Sequence, residues 1–218
     1  MISDRELLDV WDAAQEIHPA ARPLVLLRAA GDGATETLPI PARDRRLLAL
    51  RERWFGSAYE SVVTCDACGT AIELTFDGSA VALIDAPETA RRIGDVEYRL
   101  PDTRDLVAIS RCATVDAAKR MLVERCIVGT VTDEAREAVA AALEAEDDLR
   151  IAVTCPECNA SWDVVFDPGA YLWNEVDAAA MRVFREVDAL AAAYGWTEGE
   201  ILDLSPRRRA LYLRMVTL

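Results

Sequence analysis

A mainly helical α+β fold is what this sequence predicts, and three observations carry the expectation. Residues 63–77 read V-T-C-D-A-C-G-T-A-I-E-L-T-F-D, and residues 153–167 read V-T-C-P-E-C-N-A-S-W-D-V-V-F-D. Thr64, Cys65, Cys68, Phe76 and Asp77 thus recur as Thr154, Cys155, Cys158, Phe166 and Asp167. Alternating apolar residues follow both cysteine pairs, the period-two pattern of half-buried strands. Nearly everywhere else, apolar residues recur at three- and four-residue spacing, the pattern of amphipathic helices.

Taken in order, Ser3-Asp4-Arg5-Glu6 is a capping box opening a helix with Leu7, Leu8, Trp11 and Ala14 on one face. His18-Pro19 ends it, and Pro19 starts a second helix through Leu24, Leu26 and Leu27. Gly31-Asp32-Gly33 is a loop without a phosphate-binding fingerprint. Residues 42–55 predict a helix carrying Leu47, Leu48, Leu50 and Trp54, stopped by Gly56. Residues 58–64 and 71–76 predict two strands around the first cysteine pair, and 77–95 a loop. A short strand follows at Val96 to Leu100, then a helical turn from Pro101-Asp102. Thr114 caps a helix with Val115, Met121, Leu122 and Ile127, and Thr132 one that runs to about Asp147. After the second pair, Trp162, Val164 and Phe166 share a face. A long helix then carries Leu172, Val176, Ala180, Val183, Val187, Leu190 and Tyr194 as one stripe, ending at Gly195. Thr197-Glu198-Gly199-Glu200 is a second capping box, leading into Ile201 and Leu204. Ser205-Pro206 caps the last helix, with Leu211, Leu213 and Val216 apolar.

The organisation expected is one compact unit in four parts: 1–57, an N-terminal helical region; 58–77 with 150–168, a split β-element; 78–149, a helical insertion; and 169–218, C-terminal helices. An apolar fraction of 52% beside 28% charged residues is that of a globular chain with a core. The net charge of −14 opposes phosphate backbones and anionic lipid surfaces, so nucleic acid and membrane insertion are not expected as partners. No run approaches the ~20 apolar residues of a membrane span. The N-terminus, M-I-S-D-R-E-L-L, lacks the basic-then-apolar pattern of a secretory leader. A reducing cytoplasm is therefore the expected compartment.

C-x-x-C turns present two thiolates each, and two such turns fill a tetrahedral coordination sphere. Cys65, Cys68, Cys155 and Cys158 are thus the expected ligands of a closed, structural zinc site, the split β-element being zinc-ribbon-like. Iron suits four thiolates as well. The competing readings are a ribbon that has lost its metal and a pair of disulfides. Redox catalysis fits poorly, because reactive C-x-x-C pairs sit at helix N-termini and strand-like residues follow both pairs here. Cys112 and Cys126 fall in apolar, helix-like segments and read as core residues.

His18 is the single histidine and reads as a boundary residue. A Ser-His-Asp or Cys-His arrangement would have to use it, yet no G-x-S-x-G lies nearby. H-E-x-x-H is absent, and C-P-E-C lacks the H-x-E partner of a zinc deaminase. An enzyme is not expected. Arg207, Arg208 and Arg209 break a local rule, because cations in a first helical turn oppose the macrodipole. Either they pair within this acidic chain or they dock an acidic patch on another protein.

Several segments together resemble a family of phage-type baseplate proteins, found with T4-like tailed phages and in bacterial contractile injection systems. They are Leu47-Leu48-Ala49-Leu50-Arg51-Glu52 with Phe55-Gly56, Tyr98-Arg99-Leu100-Pro101 with Asp105-Leu106, and both cysteine turns. The tail adds Leu172-Trp173, Glu186-Val187, Ala193-Tyr194-Gly195-Trp196-Thr197-Glu198, Leu204-Ser205-Pro206-Arg207-Arg208-Arg209 and Tyr212-Leu213. The likeness runs from about residue 38 to the end. It implies a non-enzymatic assembly or chaperone-like protein whose partners are baseplate or hub proteins of a contractile tail. Trp196, Arg207, Arg208, Arg209 and Tyr212 are the expected contacts on that reading, with Trp173 and Tyr194 as further anchors. The alternative is a zinc-ribbon adaptor or regulatory protein.

Overall fold

Local sequence signals place most elements of the computed structural model, which describes residues 2–77, 91–145 and 149–216. The chain is mixed α+β and divides into two compact units, His18–Tyr171 and Met1–Ile17 with Leu172–Leu218. One compact unit was the expectation. The division differs because the first helix groups with the C-terminal helices, through contacts that no local pattern encodes.

In the second of these units, α1 (Asp4–Gln15) starts at the Ser3 box, where Ser3 Oγ accepts from the Glu6 N–H and Glu6 accepts from the Ser3 N–H. It accompanies α7 (Pro168–Tyr194), α8 (Glu198–Leu202) and α9 (Pro206–Val216). Leu7, Leu8, Val10 and Ala14 of α1 are buried, as are Leu172, Val176, Val183 and Leu190 of α7. Trp11 packs edge-on against Phe184 with centroids 5.2 Å apart, and its Nε1–H donates to Asp177 Oδ1 at 2.7 Å. Such a bond satisfies the one polar atom of a large apolar side chain.

The unit His18–Tyr171 begins with a 3₁₀ turn, Pro19–Ala21, capped by His18, whose Nδ1 accepts from the Ala20 N–H. Helices α2 (Arg22–Ala29) and α3 (Ile40–Phe55) follow, burying Leu24, Leu26, Leu27, Leu47, Leu48, Leu50 and Trp54. Gly56, at φ 95°, turns the chain out of α3. Strands β1 (Ala58–Thr64) and β2 (Ala71–Asp77) form an antiparallel hairpin. A three-stranded sheet joins β3 (Arg91–Ile93), β4 (Val96–Tyr98) and β5 (Ile127–Val128). Helices α4 (Thr103–Ile109), α5 (Val115–Cys126) and α6 (Asp133–Ala145) complete the insertion, and β6 (Arg150–Thr154) pairs with β7 (Ser161–Val165).

Three local expectations are corrected. Arg91–Ile93 is a strand and not loop, because it pairs with Val96–Tyr98 around Gly94 (φ 57°). Ile127 leaves the helix to pair with Tyr98. Cys112 sits half-buried in the turn after α4 and not inside a helix. The rest of the expected loop, 78–90, and the end of the Thr132-capped helix, 146–148, lie outside the described residues.

Two features anchor the hairpins. Tyr59 of β1 stacks on Phe76 of β2 (5.1 Å) and meets Phe166 edge-on (5.8 Å). Tyr171 joins them, and its hydroxyl donates to the Glu60 carbonyl at 2.8 Å and accepts the Glu60 N–H at 3.0 Å. This aromatic cluster, with Leu48 of α3, links both hairpins to the helices. Above it, Val63, Ile72, Leu74, Ile151, Val153, Trp162 and Val164 form a second apolar cluster with Cys65 and Cys155. Hairpin packs on hairpin, and the four cysteines lie at the cluster's end.

Candidate metal centre

Each cysteine turn is built the same way. The N–H of Cys65 donates to the Thr70 carbonyl at 2.9 Å, and the N–H of Gly69 to the Cys65 carbonyl at 2.7 Å. In the second turn, the N–H of Cys155 donates to Ala160 at 2.8 Å and that of Asn159 to Cys155 at 3.0 Å. Gly69 (φ 76°) and Asn159 (φ 57°) both take the left-handed conformation that closes the turn. Asparagine tolerates it because its short polar side chain lowers the usual penalty. The doubled motif therefore folds into two equivalent turns, as its sequence predicts.

Packing of the hairpins brings the turns together. The four Sγ atoms of Cys65, Cys68, Cys155 and Cys158 all lie within 4.8 Å of one another. Cys65 Sγ is 3.7 Å from Cys158 Sγ, and Cys68 Sγ is 3.6 Å from Cys155 Sγ. Zinc–thiolate bonds of ~2.3 Å in a tetrahedron separate sulfurs by about 3.8 Å. The donor set thus fits a four-thiolate ion. It fits disulfides poorly: bonded sulfurs are ~2.05 Å apart, and these close approaches run between the turns and not within them. Cys65 and Cys155 are buried, while Cys68 and Cys158 are exposed.

The electrostatics point the same way. The hydrogen bond with Thr70 is the main cause that pushes the Cys68 thiol down to about 6. At Cys158 the Ala160 backbone contact lowers the value, but Cys68, desolvation, Cys155 and Cys65 outweigh it and push it up to about 12. One thiolate forms readily and opposes the next. No Lys or Arg lies in either turn, where Asp66 and Glu157 add negative charge. A cation among the sulfurs removes that repulsion. Strands β2 and β7 leave the two turns, so neither C-x-x-C begins a helix of the kind that activates redox thiols.

The remaining candidates are placed as follows. Cys126 is buried, and burial, with Asp105 adding, pushes its thiol up to about 12, an inert state. His18 Nε2 lies 3.0 Å from Ser110 Oγ. Because Nδ1 accepts from Ala20, Nε2 carries the proton and donates to Ser110, which in turn donates to the Val107 carbonyl at 2.9 Å. That polarity is wrong for a base activating the serine.

Arg209 is corrected as a partner contact. It is 4% exposed, its Nε donates to Glu186 at 2.8 Å, and Asp4 holds its other nitrogen. Arg207 and Arg208, two residues and one residue earlier, are exposed. Trp196 and Tyr212 are half-buried, with ring centroids 4.9 Å apart, and Tyr194 stacks on Trp196 at 4.6 Å. Trp173 is half-buried on α7.

Sequence patterning missed one polar centre. Asp102 and Asp105, 2% and 0% exposed, form a capping box at α4. Arg99 grips Asp105 with two bonds of 2.6 and 2.9 Å, Arg125 adds one of 2.8 Å, and Arg104 reaches Asp102 at 2.6 Å. Burial pushes Asp105 up, but bonds from Arg99, the Asp102 N–H and Arg125 outweigh it and hold it below the usual carboxylate range. The D-x-x-D spacing at 102–105 was the available signal.

No helix among the described residues is long and apolar enough to cross a membrane. No family model, curated protein or solved structure matches the chain.

Proposed function

We propose that this chain is a zinc-stapled, non-enzymatic protein that takes part in building the baseplate of a phage-type contractile tail. The observation that carries the metal part is the convergence of four thiols from two distant turns with the spacing of a tetrahedral ion. The assembly part rests on the sequence resemblance to phage-type baseplate proteins.

Cys65, Cys68, Cys155 and Cys158 are the ligands on this reading. The ion supplies electrostatic cross-linking and no open coordination position. Binding of structural zinc by such short motifs is worth on the order of 10 kcal/mol, comparable with the whole stability of a domain, about 5–15 kcal/mol. Two isolated two-stranded hairpins are marginal alone. The staple therefore supports the β-element, whose aromatic base joins it to α3 and the start of α7.

Tagged protein expressed with its neighbouring genes tests the assembly reading. Recovery of baseplate or hub proteins, identified by mass spectrometry and absent from an untagged control, is expected. Capture of nucleic acid or of transcription machinery instead would favour the zinc-ribbon adaptor. Elemental analysis tests the metal independently, with one zinc per chain expected.

A further inference from the structure

We infer that the outward face of α9 docks an acidic amphipathic helix of a partner protein, a deepening of the assembly reading proposed above. Arg208, Leu211, Tyr212 and Met215 fall at i, i+3, i+4 and i+7, one face of the helix. Leu211 is 47% and Met215 64% exposed, two large apolar side chains one turn apart on the surface of the helix. Arg207 flanks them, and neither Arg207 nor Arg208 makes an ion pair among the described residues. The inward face is different: Arg209 is buried and held by Asp4 and Glu186.

Trp196 extends the patch. It packs edge-on against Tyr212 of that face, with Tyr194 stacked on it, so an aromatic group joins the face at Tyr212. Trp, Tyr and Arg are the residue types that dominate binding energy at interfaces. Charge selects the occupant. Exposed Arg207 and Arg208 beside exposed Leu211 and Met215 make a local surface that is cationic and apolar, complementary to one that is acidic and apolar. Eleven helical residues span about 16 Å, room for about three turns of a partner helix lying alongside.

Calorimetry with the intact metal-loaded protein tests this. The probe is a synthetic amphipathic helix of about five turns, with glutamates on one face and leucines on the other. Its controls are a scrambled peptide of the same composition and a version with lysine for every glutamate. The acidic amphipathic peptide is expected to bind and the controls not to. The double substitution Arg207→Glu with Arg208→Glu, and separately Met215→Asp, should each weaken binding by more than about tenfold, with circular dichroism and metal content unchanged. No binding, equal binding of the scrambled peptide, or variants that bind like the parent would each overturn the inference. So would binding of anionic vesicles in place of the peptide, or self-association through α9 seen by sedimentation and abolished by Met215→Asp. The assembly reading fails separately: it falls if no tail protein is captured. If tail proteins are captured equally by the α9 variants, only the α9 inference falls.

Discussion

The guanidinium of Arg51 lies 3.9 Å above the centroid of the Tyr59 ring. Arg51 comes from the last turns of α3 and Tyr59 from β1, and the Arg51 Nη1–H also donates to the Gly56 carbonyl at 2.5 Å. One side chain thus fixes both the turn out of α3 and the first strand that follows. Tyr59, wholly buried, carries that fixation on to Phe76 and Phe166. Tyr59→Ala should cost about 3–5 kcal/mol in urea unfolding. Arg51→Lys should cost about 1 kcal/mol, because an ammonium cannot both stack and reach the carbonyl. A Tyr59→Ala protein as stable as the parent would remove the aromatic cluster as the hairpins' anchor.

Cys155→Ser and Cys65→Ser should each abolish stoichiometric zinc, since a hydroxyl is a poor replacement for a buried thiolate ligand. Cys112→Ser should leave the metal content unchanged. Chelator should lower the melting temperature of the parent and leave the Cys155→Ser variant unmoved. Protons compete for thiolates, so zinc release should begin on acidification and not on alkalinisation. Elemental analysis of dialysed protein across pH reads all of these.

Arg209→Met should destabilise by about 2–3 kcal/mol, because it removes the buried donor shared by Asp4 and Glu186. Arg207→Ala and Arg208→Ala, on the exposed side, should change stability by less than about 0.5 kcal/mol. Urea curves of the three variants decide it. Equal effects would contradict the different roles assigned to neighbouring arginines.

Two aspartates give opposite pH signatures. Asp105 is held below the usual range, so its stabilisation is present above the unfolded value of about 3.9 and is lost as pH falls through the folded value. Asp44 is the reverse: burial, only partly offset by Arg43 at 2.7 Å, pushes it up to about 6. Its native form binds a proton more tightly than the unfolded chain, so stability falls as pH rises from about 4 to about 6. Asp44→Asn should match the parent near pH 4 and exceed it at pH 7 by up to about 3 kcal/mol. Asp105→Asn should lose stability at pH 7 and approach the parent in acid. Chemical unfolding at a series of pH values measures both.

What can be read from the residues in order is whatever a few neighbouring positions encode. Ser3-x-x-Glu6 and Thr197-x-x-Glu200 close as capping boxes, Gly56 and Gly195 stop their helices, and the first hairpin spans the predicted positions to within a residue. These are backbone hydrogen bonds satisfied within three or four residues, so local composition decides them. The four-cysteine set was legible for a related reason: a doubled turn with identical ligand spacing has few alternative uses. Assembly in space was different. That Arg209 faces Asp4 while Arg208 faces solvent depends on which side of α9 meets α1 and α7, and three consecutive arginines look alike in the sequence. The Arg99, Arg125 and Asp105 contacts join α4 to the end of α5, and Asp105 is wholly buried there. Burial and long-range pairing belong to the packed elements together, since desolvation and Coulomb energies are set by neighbours from distant parts of the chain.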